Sequence, residues 1–271
     1  MNTAAANGQI NSIFGRPEDV GGVESQTGTS IFDPVLCELM YKWFCPPGGQ
    51  IIDPFAGGSV RGIVASLLGF KYWGCDLRAE QITANETQRT ICKDATHQPV
   101  WVCGDIRDTL KDAPLADFIF TCPPYGDLER YSDDPRDLST MPYARFLSAY
   151  KSIIEQAAAK LRMNRFICLV VGAFRATRTG NYRGFVADTT LICRELLRLP
   201  LYNEAVFITA IGSLPVRVGK QFEAGRKLGK THQNVLVFVK GDGKLAAQAC
   251  RTALGGEDVK RECVEAVAPT G

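Results

Sequence analysis

The chain has 271 residues, is 45% hydrophobic and carries a formal net charge of +2, enough apolar sequence for one large core. The near-neutral balance excludes bulk charge as a basis for nucleic-acid binding, so any such surface has to come from a local cluster. Its ten cysteines include no C-x-x-C pair, which argues against a zinc or redox site and leaves no metal ligands to propose.

The opening MNTAAANGQINSIFG lacks the basic-then-apolar order of a secretory signal, and no apolar run approaches the ~20 residues of a membrane span. A reduced, cytoplasmic protein without membrane contact is expected. Residues 1–29 are rich in Gly, Ser, Thr and Asn and read as a flexible N-terminal arm. From Asp33 to Phe44, Val35, Leu36, Leu39, Met40 and Trp43 recur at helical spacing, and Cys-Pro-Pro-Gly-Gly then stops that helix. Strands are predicted at Gln50–Asp53, Lys71–Cys75, Val100–Cys103, Ala116–Thr121, Arg165–Val171, Ala205–Ala210 and Asn234–Lys240. Helices are predicted at Ser59–Leu68, Arg78–Lys93, Pro142–Leu161 and Arg183–Leu199. Strands alternating with helices imply an α/β fold, with a mostly parallel sheet covered on both faces. The last two strands have only a loop between them, which suggests an antiparallel pair closing one edge. The stretch after Gly241 is polar, so one catalytic domain over 30–241 is expected, followed by a polar tail over 242–271.

Asp53-Pro54-Phe55-Ala56-Gly57-Gly58-Ser59 falls between the first strand and its helix. Small residues there let a ligand lie close to the backbone, and the helix start offers unpaired N–H groups. Asp76, at the end of the second strand, can accept hydrogen bonds from both hydroxyls of a ribose. Asp105, after the third strand, is placed to meet an adenine amine. Leu77 and Ile106, which follow these acids, complete the expected nucleoside site.

The Asp-Pro-Phe-Ala-Gly-Gly-Ser loop, with Asp76 and Asp105 in register behind it, resembles the cofactor site of amino-type DNA methyltransferases. The segment Ser30-Ile-Phe32-Asp-Pro is similar to the one such enzymes place over the methionine moiety, and the likeness runs from about Ser30 to Lys240. It implies a Rossmann-like methyltransferase fold of seven strands with an antiparallel edge strand. It also implies S-adenosyl-L-methionine as cofactor and double-stranded DNA with a flipped base as substrate. The chain has the look of phage or mobile-element modification enzymes, acting in a bacterial or phage-infected cytoplasm and protecting DNA from restriction.

After the fourth strand comes Thr121-Cys122-Pro123-Pro124-Tyr125. The family's pattern is Asp, Asn or Ser, then Pro-Pro, then an aromatic. There the polar side chain and a proline carbonyl accept hydrogen bonds from the exocyclic amine while the aromatic ring stacks on the flipped base. Cys122 departs from that pattern, because a thiol is a weak acceptor. One reading makes it a near-isostere of serine in an enzyme that methylates the exocyclic amine of cytosine (N4) or adenine (N6). The other makes it a nucleophile at cytosine C6 for methylation at C5, with Asp127 or Glu129 as the carboxyl group near ring N3. The thiol suits the second task better. A third reading is a former enzyme that still binds cofactor or DNA.

The acids Asp127, Glu129, Asp133, Asp134 and Asp137 outnumber Arg130 and Arg136 between Tyr125 and Asp137, so this stretch is expected to move over the base or supply acid/base groups. Arg175, Arg178 and Arg183 follow the fifth strand, and Arg217, Lys220, Arg226, Lys227 and Lys230 lie before the last one. Both basic stretches are expected as flexible DNA-contacting loops, about 173–184 and 212–233, that neutralise phosphates and reach base edges. No separate recognition domain is visible, so a short or permissive target sequence is expected. Monomer and homodimer both remain open, and RNA is the alternative substrate.

Overall fold

The computed structural model describes residues 31–126, 130–208 and 214–251. Its strands are β1 (Gln50–Asp53), β2 (Lys71–Asp76), β3 (Val100–Cys103), β4 (Ala116–Thr121), β5 (Leu161–Val171), β6 (Leu201–Ile208) and β7 (His232–Lys240). They form one sheet in the order β3-β2-β1-β4-β5-β7-β6. β1 to β5 run parallel, and β7 runs antiparallel to both β5 and β6, so an antiparallel pair closes that edge. The chain leaves β1 toward β2 and β3 and later returns to its other side with β4 and β5. That reversal marks the place, beyond the carboxyl ends of β1 and β4, where open α/β sheets hold ligands.

The helices are α1 (Pro34–Phe44), α2 (Val60–Leu67), α3 (Ala79–Gln88), α4 (Ile106–Thr109), α5 (Tyr143–Lys160), α6 (Phe185–Leu191), α7 (Leu214–Gly225) and α8 (Gly243–Cys250). α1 begins as its sequence dictates: Asp33 accepts a hydrogen bond from the Leu36 N–H at 2.8 Å, and Pro34 occupies the first turn, where no N–H is needed. Alternation along the strands builds two cores. Phe118, Phe120, Phe166 and Cys168 face Tyr41 and Met40 of α1 on one side of the sheet. Ile119, Ile167 and Leu169 face α5 on the other, where Phe146, Tyr150, Ile153 and Ile154 are fully buried. Burying each of these large side chains stabilises the fold by roughly 1.5–3 kcal/mol, which holds the long helix flat against the sheet.

Three expectations are corrected. The stretch after Gly241 is not simply a polar tail: Asp242 caps α8 through the N–H groups of Lys244 and Leu245, and the helix buries Ala246 and Cys250 against β5 and α1. Its apolar face is narrow and made of small residues, too faint a periodic signal to read. The basic stretch before β7 is not all loop either, because α7 occupies Leu214–Gly225. Pro215 and the glycines mask the helical spacing of Leu214, Val218 and Phe222, yet a proline in the first turn is tolerated. Finally, the helix expected over Arg183–Leu199 starts later. Gly184 takes a left-handed conformation (φ +78°) ahead of α6, which then widens into a π-turn over Ile192–Leu196.

Candidate functional site

The turn after β1 is fastened to the end of β2. The Ala56 N–H donates to the Cys75 carbonyl at 2.9 Å, the Gly57 N–H to Asp76 Oδ2 at 3.1 Å, and Asn85 of α3 to the Gly57 carbonyl at 2.8 Å. Gly57 needs the absence of a side chain for its φ of +50°, and a Cβ on Gly57 or Gly58 would meet no atom of the described residues within 4 Å. The space above the turn is therefore open to a ligand. Ser59 precedes α2 and hydrogen-bonds Gln88. Asp76, the expected ribose partner, also accepts from the Arg78 N–H at 2.9 Å. Burial raises its pKa, against the opposing pull of these donors and of Arg78.

Asp53 lies beneath the turn, fully buried. Its Oδ2 accepts from Arg61 Nε at 2.5 Å and from the Tyr72 hydroxyl at 2.8 Å, and its Oδ1 from the Thr121 hydroxyl at 2.6 Å and the Phe55 N–H at 3.2 Å. Arg61 Nη2 donates to the carbonyls of Phe55 and Ala56 at 2.6 and 2.9 Å. The Phe32 ring covers the guanidinium at 4.5 Å and packs edge-on against Phe120. Burial alone would favour loss of the Arg61 proton, but the Asp53 carboxylate outweighs it, so the pKa is raised and the guanidinium keeps its charge. Burial, reinforced by the same carboxylate, pushes the Tyr72 hydroxyl well above its ordinary value.

Asp53 thus organises the turn from below. Arg61, Tyr72, Thr121 and Asn85 were not anticipated as site residues. For Arg61 the signal was available as a lone cation in the otherwise apolar run Val60–Leu67.

Asp105 caps α4, accepting from the Arg107 N–H at 3.0 Å, from Arg107 Nε at 2.8 Å and also from Nη2. Burial works to raise its pKa, but the hydrogen bonds and charge of Arg107 win and hold the carboxyl below its ordinary range. Ile106 is buried in the core behind it, and Leu77 is half-buried beside Asp76. Ser30, Asp127 and Glu129 lie outside the described residues.

Thr121 ends β4, and its hydrogen bond to Asp53 sets Cys122 beside the turn. Cys122 is partly buried, with its Sγ 3.7 Å from the Tyr125 hydroxyl. Pro123 is buried and Pro124 half-buried. Tyr125, expected as the stacking ring, sits inside an aromatic cluster with Phe174 and Phe185, centroids 6.2 and 6.3 Å away. In the part of the acidic stretch that is described, 130–141, two of the three acids are paired with arginines of the same stretch. Asp133 pairs with Arg130 and Asp134 with Arg136, while Asp137 accepts from the Ser139 N–H as a buried cap. The hydrogen bonds of Arg136 take Asp134 down to about 2. The stretch leans on residues following β2 and β3: Arg78 lies 5.7 Å from the Tyr131 ring, and Arg107 reaches the Arg136 carbonyl at 3.3 Å.

The basic stretches meet one another. Arg175 bonds the Gly180 carbonyl at 3.0 Å and covers the Tyr182 ring at 3.9 Å. Any side chain on Gly180 would come within 2.8 Å of Lys227 Nζ. Arg183 lies over Tyr143 at 4.9 Å, and Arg226 over Phe222 at 5.1 Å. Arg178, Lys220 and Lys227 are exposed, whereas burial lowers the pKa of half-buried Lys230. The Arg217 side chain is outside the described residues.

No protein-family model and no curated protein matches the chain. Among solved structures it is similar to TrmN from Thermus thermophilus, with a TM-score of 0.50 and 16% identity over 80% of this chain and 51% of that one. The chain therefore spans about half the length of that protein. It is also similar to a SAM-dependent methyltransferase from Methanosarcina mazei, with a TM-score of 0.50 and 12% identity over 75% of this chain and 97% of that one. Together with the strand order, these likenesses show that the chain has the Rossmann-like fold of the methyltransferases.

Proposed function

We propose that the chain is an S-adenosyl-L-methionine-dependent methyltransferase that acts on a cytosine in double-stranded DNA, with Cys122 as its nucleophile. The observation that carries this reading is the position of Cys122: it follows the β4 residue hydrogen-bonded to Asp53, beside an open glycine turn. The residues present fit the cofactor. The turn leaves room above Gly57 and Gly58, Asp76 ends β2 and Asp105 follows β3, where ribose and adenine are expected, and Phe32 lies against Arg61 just ahead of α1. Once bound, the cofactor supplies an electrophilic methyl group.

The chain's own residues have the remaining work. The Cys122 thiolate adds to C6 of the cytosine ring, which makes C5 nucleophilic. After methylation, a base removes the C5 proton so that the thiol can leave. The cation of Arg61 is near enough to Cys122 for the two to interact electrostatically. The Tyr125 hydroxyl, 3.7 Å from the sulfur, is placed to exchange a hydrogen bond with it.

A second reading has its own support. The order Thr-Cys-Pro-Pro-Tyr at the end of β4 is that of the amino-type enzymes, in which the Pro123 carbonyl would take an exocyclic amine. DNA is favoured by the meeting of the two basic stretches at Gly180 and Lys227, which gathers exposed cations into one surface. Recognition by that surface alone suits a short target sequence.

The deciding experiment is nucleoside mass spectrometry of DNA, and of RNA in parallel, after incubation with labelled cofactor. 5-Methylcytosine from the wild type and none from Cys122→Ser supports the nucleophile. N4-methylcytosine or N6-methyladenine, with activity kept in Cys122→Ser, supports the second reading. Label in RNA alone overturns the DNA assignment.

A further inference from the structure

We propose that Arg61 is the residue that receives the carboxylate of the cofactor's amino-acid tail, through Nη1. The inference rests on the cofactor reading above and adds a specific partner to it. The tail of the cofactor is a zwitterion, and its carboxylate needs a cation or a set of N–H donors. Around the glycine turn the charges are arranged unevenly. The cations Arg78 and Arg107 stand after β2 and β3, with Asp76 and Asp105, at the nucleoside end. At the other end, beside Phe32 and Cys122, the cation held by the turn itself is Arg61.

The donors of that guanidinium can be accounted for one by one. Nε is spent on Asp53, and Nη2 on the carbonyls of Phe55 and Ala56. Nη1 meets no acceptor among the described residues, although Arg61 is only 5% exposed. A nearly buried arginine held rigid on one edge, with its other nitrogen unspent, is prepared for an anion. Its orientation is already fixed, so binding loses little side-chain entropy. Asp53, buried beneath the turn with both oxygens already hydrogen-bonded, balances the charge of the guanidinium from below.

The arrangement also explains why an arginine is present at all. Its hydrogen bonds to two carbonyls of the turn could have been satisfied by a neutral side chain at lower desolvation cost.

Calorimetric titration with S-adenosylhomocysteine and with its decarboxylated analogue, which keeps the ammonium, tests the assignment. The wild type is expected to bind the complete ligand about 10- to 100-fold more tightly, the range of one charge-assisted hydrogen-bonded contact. In Asp53→Asn/Arg61→Gln, which removes both buried charges together, that preference should collapse to near unity while the decarboxylated analogue still binds. Equal binding of the two ligands by the wild type overturns the proposal, as does an undiminished preference in the double variant.

Should the variant not fold, side-chain NMR of the wild type decides. The Arg61 guanidinium resonances shift with S-adenosylhomocysteine and stay in place with the analogue, and identical responses overturn the proposal. Failure of both adenosyl ligands to bind the wild type would instead bring down the cofactor reading.

Discussion

Asp53 and Arg61 form a buried ion pair, Nε 2.5 Å from Oδ2, that joins the end of β1 to the first turn of α2 and encloses the glycine turn between them. Thr121 donates to the second oxygen of the same carboxylate, so the turn and the Cys122 segment hang from one group.

Breaking this pair from one side leaves a charge buried without its partner. Arg61→Met is expected to destabilise the protein by about 3–5 kcal/mol. Removing both charges in Asp53→Asn/Arg61→Met should recover part of that loss, as measured by urea denaturation of the four proteins of the cycle. Strict additivity of the two single changes would show that the pair does not act as a unit.

The Asp105 and Arg107 contact makes a pH prediction. The folded-state pKa of Asp105 is lowered, so the carboxylate form is favoured by folding. Its contribution to stability is present above the carboxyl's unfolded value and is lost as the pH falls through the depressed folded one. Arg107→Gln removes the donors that lower the pKa. The variant should therefore be less stable at neutral pH, within the surface-pair range of about 1 kcal/mol, and its difference from the wild type should vanish as the pH falls through the wild type's depressed carboxyl value. A difference that persists unchanged into acid would count against the assigned pairing.

Tyr125→Phe keeps the ring among Phe174 and Phe185 and removes only the hydroxyl near Cys122. Its melting temperature should stay close to that of the wild type. The alkylation rate of Cys122 by iodoacetamide, and turnover on DNA, are expected to change by on the order of tenfold, the effect of one hydrogen bond. Unchanged alkylation and turnover would leave the hydroxyl without a part in the chemistry.

Arg178 and Lys227 are exposed on the two basic stretches that meet at Gly180. Replacing each with alanine should weaken DNA binding about equally for all sequences. Each replacement should also reduce the slope of log K against log salt by roughly 1 if it removes one phosphate contact. Fluorescence anisotropy across a salt series checks this. A slope that stays constant in both variants would move the DNA surface elsewhere.

Much of the fold was legible because its signals are local. Gln50–Asp53, Val100–Cys103 and Ala116–Thr121 are short apolar runs bounded by turn residues, and all three form strands at those bounds. α8 was missed for the converse reason: Ala246 and Cys250 bury too little side chain to stand out in a polar stretch, and only the sheet they pack against makes them core. α7 was hidden by Pro215 and by glycines that ordinarily mark loops.

The candidate site divides along the same line. The sequence by itself determined that a glycine turn follows the first strand, that acids end or directly follow the first and second strands, and that another lies just past the third. It also determined that a cysteine replaces the expected polar residue before Pro123. All of these are relations between near neighbours in the chain. Only the tertiary structure decided which charge each acid meets. Asp105 meets Arg107, two residues away, through the bend that begins α4. Asp53 meets Tyr72 from the neighbouring strand and Thr121 from a strand 68 residues further on. Local spacing assigns a side chain to a face of the sheet, but the partner it finds there depends on strand order and register. Those are set by packing both faces of the whole sheet at once.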